Sequence, residues 1–435
     1  MSINVIGAGL AGCEAAYQIA KRGIDVKLYD MKPDKKSPAH KSDLFAELVC
    51  SNSFKADRVS SAAGLLKAEM RRFDSLLLRA ADASRVPAGG ALAVDRDLFS
   101  KYVTESLRNN DKVTFINKEI TDIPENEITV IATGPLTSDD FAKSIYSRFG
   151  SAMSFYDAAA PIVTLESIDM EHAFFESRYG KGDGTDYLNC PMNKEEYDVF
   201  YEALVNAERA PVHEFDVRDP KVYEGCMPIE VMAQRGYDTI CFGPMKPVGL
   251  TDPKTGHRPW AVLQLRKENA SGTMFNLVGF QTNLKFPEQK RVFGLIPALK
   301  NAEFIRYGVM HRNTFLNSPQ ILNSDFSTKE DANIFFAGQI TGVEGYMESA
   351  SSGIIAGINA ARRYNGQDSL ALPDTTMTGC LSGYVSDSTV VDFQPMGANF
   401  GIIPELENRP RNKQERGQAY ADRALKDLDK YLESI

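Results

Sequence analysis

Near its start the chain reads VIGAGLAGCEAA, residues 5–16, with glycines at 7, 9 and 12. Residues 2–6 read as a short buried strand, 10–22 as a helix stopped by Gly23, and 25–29 as a second strand followed directly by the acid Asp30. A GxGxxG string between a strand and a helix, with an acid about twenty residues further on, is the dinucleotide-binding turn of a βαβ unit. Gly7 permits the tight turn, Gly9 lets backbone approach a pyrophosphate, and Gly12 lets helix and strand pack closely. With Ala8, Leu10 and Ala11 between and beside them, these residues leave N–H groups at a helix N-terminus, where a phosphate is held. Asp30 stands where it accepts from a ribose hydroxyl. It would also repel a 2′-phosphate, which disfavours NADP at this turn and leaves NAD or FAD.

The distant half of the chain decides between them. Residues 333–337 (NIFFA) read as a returning buried strand. AGQI, with Gly338 and Gln339, follows it, and TGVEGYMESASSG leads into a helix over 349–363. Such a helix aims its positive N-terminus at a flavin ring, where negative charge develops on reduction. The apolar strand ending in Thr133-Gly134 supplies a third matching segment, so the ligand is read as FAD. A GxGxG string at 180–184 has no strand before it or helix after it, and no second dinucleotide domain is expected. The fold expected is α/β. Residues 1–160 form the first part of a two-segment Rossmann-like FAD-binding domain. Residues 161–330 form an inserted α+β substrate domain, and 331–435 form the second part with a C-terminal tail. Helices are predicted over 62–80, 97–108 and 419–432.

Composition narrows the function classes. A formal net charge of -9 argues against nucleic-acid binding over the whole surface but leaves room for a local basic patch. Arg409, Arg411, Lys413 and Arg416, and the segment from Lys32 to Lys41, are the candidates. There is no signal-peptide pattern and no apolar run of roughly 18 residues, so a cytoplasmic protein without membrane contact is expected. The six cysteines (Cys13, Cys50, Cys190, Cys226, Cys241 and Cys380) contain no CxxC pair. That is neither a disulfide framework nor a zinc ribbon, and no metal is expected. Cys13 reads as a core residue. Cys50 in ELVCSNSFK and Cys226 in YEGCMPIE stand in loops where a thiol can face a cleft; access and a lowered pKa are what would make either reactive.

Taken together, VIGAGLAGCEAA, ELVCSNS, PAGGALAVDRDLF, YEGCMPIEVMAQRG, GFQTNLKF, RYGVMHRNTFLNSP, FFAGQITGVEGYMESASSGIIAGINA and DFQPMGANFG resemble the folate- and FAD-dependent tRNA uracil-5 methyltransferases over nearly the whole chain. The resemblance implies methylation of uridine 54 in the T-loop of tRNA, with carbon from methylenetetrahydrofolate and electrons from NADPH through FAD. It implies that Cys50 and Cys226 are catalytic, Cys226 as the nucleophile at uracil C6 and Cys50 as base or covalent flavin partner, with the reverse assignment open. It also puts Tyr346 beside the flavin. The family more usually carries Trp where Phe286 stands and Asn where Gly397 stands. The same chemistry on a ribosomal RNA uridine, or a generic FAD oxidoreductase, are the alternatives.

Overall fold

The computed structural model describes residues 2–37, 39–150, 152–158, 160–180, 184–210, 227–269, 271–308, 310–390 and 393–434. Residues 181–183 of the discounted GxGxG string lie outside these. Five parallel strands form the central sheet in the order Ile334–Phe336, Thr129–Ile131, Ile3–Ile6, Val26–Asp30 and Val113–Asn117. The middle strand pairs Val5 with Leu28 on one side and with Val130 on the other. All four residues of that strand are buried, as expected of a parallel strand covered on both faces. The returning strand places Phe335 opposite Val130. Two stretches of chain separated by some two hundred residues thus complete one sheet. This is a Rossmann-like α/β fold carrying a large insertion.

Two helices cross on this sheet, and their contact fixes the geometry of everything above it. Leu10–Lys21 and Tyr346–Tyr364 meet through Gly353 and Gly357. A Cβ on Gly353 would collide with the Ala11 carbonyl, and one on Gly357 would lie 2.7 Å from the Ala15 carbonyl oxygen. The helix facing them offers only alanines at the contact, so the two backbones touch nearly directly. The Tyr346 helix begins three residues earlier than its apolar pattern suggests. Gly345, at φ 124°, turns the chain into it, and Tyr346 becomes its first residue.

The helix predicted over 62–80 is two helices, Ala62–Arg72 and Leu76–Ala83. Asp74 takes φ 57°, and the Ser75 hydroxyl caps the second helix by accepting from the Leu78 N–H. The apolar periodicity runs through the break because both pieces face the same core. The tail helix likewise begins earlier than its pattern, at Lys413. The Asn412 side chain caps it by accepting from Gln414 and Glu415.

The chain between the two sheet segments builds a six-stranded antiparallel sheet, in the order Phe174–Phe175, Tyr187–Met192, Ala261–Lys267, Met274–Leu277, Ile162–Thr164 and Phe304–Arg306. It has its own apolar core, including Phe200, Phe275, Phe280 and Phe293. An antiparallel pair, Ala152–Ala158 with Met310–Leu316, connects this unit to the first.

The helix crossing yields a direct test. Gly353→Ala or Gly357→Ala should lower stability by about 1–3 kcal/mol, the usual cost of overpacking a tight contact. Gly383→Ala, on an exposed helical position with nothing within 4 Å of its added Cβ, should be neutral or stabilising by up to about 1 kcal/mol. Urea midpoints of the three variants decide it; equal midpoints would show that the crossing is not tight.

Candidate active site

A cleft of about 1120 Å³, its open mouth included, runs along the carboxyl ends of the parallel strands. Its walls bring together most of the residues singled out from sequence: Gly7, Gly9, Leu10, Ala11, Asp30, Gly338, Gln339 and Tyr346. The glycine turn is built as its spacing requires. Gly7 takes φ 103°, and a Cβ there would lie 2.5 Å from the Ala132 oxygen. A Cβ on Gly12 would strike the Gly7 carbonyl, whereas one on Gly9 would meet nothing within 4 Å. Gly7 and Gly12 are therefore needed by the protein itself, and Gly9 leaves a cradle open to the cleft. Ala8 and Gly12 do not line the cleft; they shape the turn beneath it.

Asp30 has a structural role that its spacing did not reveal. One carboxylate oxygen accepts from the Ala8 N–H at 2.7 Å and the other from the Lys32 N–H at 2.9 Å. It locks the glycine turn to the end of the second strand while still facing the cleft, and each oxygen retains a further lone pair. On the opposite side, the Gly338 N–H donates to Ser352 Oγ at 2.7 Å and Gln339 Nε2 donates to Glu344 at 2.7 Å. Neither the Leu10 helix nor the Tyr346 helix has a side-chain N-cap, so both present backbone N–H groups at the cleft.

Cys50 is not itself in the wall but follows Val49, which is, and it packs against Tyr346. The N–H groups of Cys50 and Ser51 both donate to the Tyr346 hydroxyl, at 2.7 and 3.1 Å. Burial, with Cys50 beside it, pushes the Tyr346 phenol well above its ordinary range, so Tyr346 acts as a neutral acceptor. The tyrosine ring meets Phe54 edge-on at 6.0 Å.

Three arginines grip the same loop from behind. Arg96 donates to the Leu48 and Cys50 carbonyls, and Arg306 donates to the Val49 carbonyl. Arg266 binds Ser51 Oγ at 2.9 Å and Asn52 Oδ1 at 3.0 Å. Asn52 in turn donates to the Val94 and Lys267 carbonyls. Burial works against the charge on Arg96, but Glu268, at 2.6 Å, more than compensates. Burial and the neighbouring Arg96 lower the Arg306 pKa. The inserted sheet supplies Arg266 and Arg306, so the loop carrying Cys50 is held jointly by the two units. No short motif announces this clamp, because Arg266 and Arg306 lie over two hundred residues from the loop they hold.

Cys226 lies outside the described residues. Cys13 and Cys190 are buried, and burial raises both thiols far above the ordinary range, which suits core residues. Among the described residues there is no cluster of metal ligands and no helix long and apolar enough to cross a membrane. Phe286, where the family more usually has Trp, is half exposed and stacks on Tyr307 with ring centres 4.7 Å apart. Tyr307 stacks in turn on Phe304 at 5.4 Å. Gln289 holds this ladder by exchanging two 2.7–2.8 Å hydrogen bonds with the backbone of Gly308.

The two basic candidates differ from each other. Lys32 is buried, lines the cleft and donates to the Leu44 carbonyl. Lys35 pairs with Glu119 and Lys36 with Asp43, so this segment is not an open cationic strip. Arg409, Arg411 and Lys413 are exposed, with Arg409 paired to Glu405.

Comparison with known proteins agrees with this geometry. The family model described as "Glucose inhibited division protein A" matches residues 2–368. A methylenetetrahydrofolate–tRNA-(uracil-5-)-methyltransferase TrmFO from Acetivibrio thermocellus is 59% identical over 431 residues, covering 99% of this chain and 98% of its own. The protein of that name from Ligilactobacillus salivarius is 56% identical over 431 residues, with the same two coverages. Among solved structures, Aquifex aeolicus GidA superposes with a TM-score of 0.70 at 17% identity, over 100% of this chain and 75% of that one, a likeness of fold. With its glycine turn, returning strand and Cys50 loop assembled around one cleft, the chain belongs to the methylenetetrahydrofolate–tRNA-(uracil-5-)-methyltransferase family.

Proposed function

We propose that this protein methylates C5 of a uridine in tRNA, at position 54 of the T-loop, using methylenetetrahydrofolate as carbon donor and FAD reduced by NADPH, in the cytoplasm. The observation that carries the reading is the pair of hydrogen bonds from Cys50 and Ser51 to Tyr346, which sets a thiol-bearing loop against the wall of a dinucleotide cleft. The names of the relatives, at 56–59% identity over the full length, support the substrate and the carbon donor.

The residues present fit FAD. The cradle at Gly9 would be filled by any side chain, and the two uncapped helix N-termini suit a pyrophosphate and an electron-rich ring. Gly7, Gly9, Leu10, Ala11 and Asp30 would hold the adenine half, and Gly338, Gln339 and Tyr346 the flavin half. When bound, the flavin supplies the electrons and relays the one-carbon unit.

The protein's own groups must do the rest. Uracil C5 is a poor nucleophile until a thiolate adds to C6 and makes an enolate. C5 must later lose its proton to a base. In this reading Cys226 adds at C6 and Cys50 takes the proton, within the division into a FAD-binding domain of residues 1–160 and 331–435 and a substrate domain of residues 161–330. The Tyr346 hydroxyl and the three arginines keep the Cys50 backbone in place during both steps. Stacking along Phe286 and Tyr307 would offer an aromatic face to a base that has left its own stack.

The deciding experiment incubates the purified protein with tRNA transcript, methylenetetrahydrofolate and NADPH and analyses nucleosides. 5-Methyluridine at T-loop position 54 is expected; product in ribosomal RNA and none in tRNA would overturn the substrate. Cys50→Ala and Cys226→Ala should each slow methylation by at least about 10²-fold, the lower end for a missing acid–base or covalent group, with flavin absorbance retained. Full activity in both would remove the thiols from the mechanism. Tyr346→Phe deletes the acceptor of two N–H groups, at about 1–3 kcal/mol, and should slow single-turnover methylation by about ten- to a hundredfold without bleaching the protein. Gly9→Val should yield a folded, colourless protein; a yellow one would place the dinucleotide elsewhere.

A further inference from the structure

A second cleft lies in the inserted unit, away from the one described above. It is walled by Trp260, Lys194, Lys254, His257 and Arg258, with Pro191, Pro253, Pro259 and Pro297 stiffening its rim. Trp260 is the only tryptophan in the chain, and 42% of it is exposed, an unusual placement for the largest apolar side chain. The Lys194 ammonium sits 5.8 Å from its ring centre and pairs with Asp198 at 2.8 Å. The loop carrying the other cations is closed on itself. The Asp252 N–H donates to the His257 carbonyl at 3.0 Å, and the Gly256 N–H to the Asp252 carbonyl at 2.8 Å. Lys254, His257 and Arg258 are all exposed. Of the three carboxylates in the wall, Glu196 accepts from the Asn193 N–H and Asp252 from the Lys254 N–H. Those two carboxylates are committed to backbone donors at the rim and the third, Glu171, is exposed, while Lys254 and Arg258 stand in solvent beside the partly exposed indole.

An exposed aromatic face flanked by solvated cations is the combination that takes a nucleobase with its phosphate: the ring stacks and the ammonium or guanidinium pairs with the phosphate. We propose that this cleft binds one unpaired nucleotide of the RNA substrate, base on Trp260 and phosphate on Lys254 and Arg258. The proposal rests on the reading that the substrate is RNA. The strand Ala261–Lys267 starts beside Trp260 and carries near its far end Arg266, which holds Ser51 and Asn52. At about 3.3 Å per residue the cleft lies about 20 Å from the Cys50 loop. That is beyond the reach of the target nucleotide, so the occupant is another nucleotide of the same molecule and the cleft sets where the RNA is anchored.

Because there is one tryptophan, its fluorescence in the holoenzyme reports on this cleft alone. Titration with uridine monophosphate and, separately, with tRNA transcript should quench it saturably. In the Lys254→Ala/Arg258→Ala double variant both quenching curves should move to higher concentration. The salt dependence of transcript binding should fall by about 0.7 in log–log slope, for the one phosphate that a single strand no longer has neutralised. KM for tRNA should rise about tenfold, with kcat and the flavin spectrum unchanged. Transcript that binds, by filter retention, without altering Trp260 fluorescence would overturn the proposal. So would quenching by the mononucleotide but not by bound transcript, which would make the cleft a site for free nucleotides. If the mononucleotide quenches and tRNA is neither bound nor methylated, the nucleotide chemistry of the cleft stands and the tRNA reading falls.

Discussion

Everything at the active cleft depends on how closely two helices can approach. Leu10–Lys21 comes from the beginning of the chain and Tyr346–Tyr364 from near its end, and they touch through Gly353 and Gly357 on one side and Ala11 and Ala15 on the other. With no side chain between them, the N-terminus of the first helix and that of the second open onto the same cleft. One methyl group at the crossing would push them apart and, with them, the glycine turn and Tyr346. The long intervening chain is tolerable because the entropy of closing a loop grows only with the logarithm of its length. The insertion therefore needs only to keep its two ends close, which the pairing of Ala152–Ala158 with Met310–Leu316 does.

What the sequence discloses and what it conceals follow from the range of the interactions involved. The glycine turn is legible because its requirements are local. Positive φ at Gly7 and contact at Gly12 involve neighbours within a few residues or an adjacent strand. The returning strand and its glycines are legible for the same reason, and so is the α/β class. The grip of Arg96, Arg266 and Arg306 on the Cys50 loop is not, because an arginine that binds backbone carbonyls leaves no pattern around itself. Asp30 shows the same limit in miniature. Its position marks it as acidic and near the ligand, but its bond to the Ala8 N–H emerges only when turn and strand are seen together. The Ala62–Arg72 and Leu76–Ala83 helices read as one because periodicity reports the face turned to the core and is blind to a kink that preserves it.

Charge behaves similarly. Runs of lysine look alike in sequence whether they are solvated or paired. Lys35 and Lys36 find carboxylates, and Lys32 finds the Leu44 carbonyl inside the fold. A protein of net charge -9 can still meet a polyanion if its cations stand where its acids do not. Lys254 and Arg258 stand exposed beside Trp260, and of the acids in the same wall Glu196 and Asp252 accept from backbone N–H groups while Glu171 is exposed.

The arginine clamp grips main chain: the carbonyls of Leu48, Val49 and Cys50. Tyr346 likewise takes main-chain N–H groups. The loop is thus gripped through its peptide units, whose shape is indifferent to the side chain at position 50. The side chain at position 50 can therefore be exchanged without rebuilding the socket, so a chain that has lost the thiol can keep the loop.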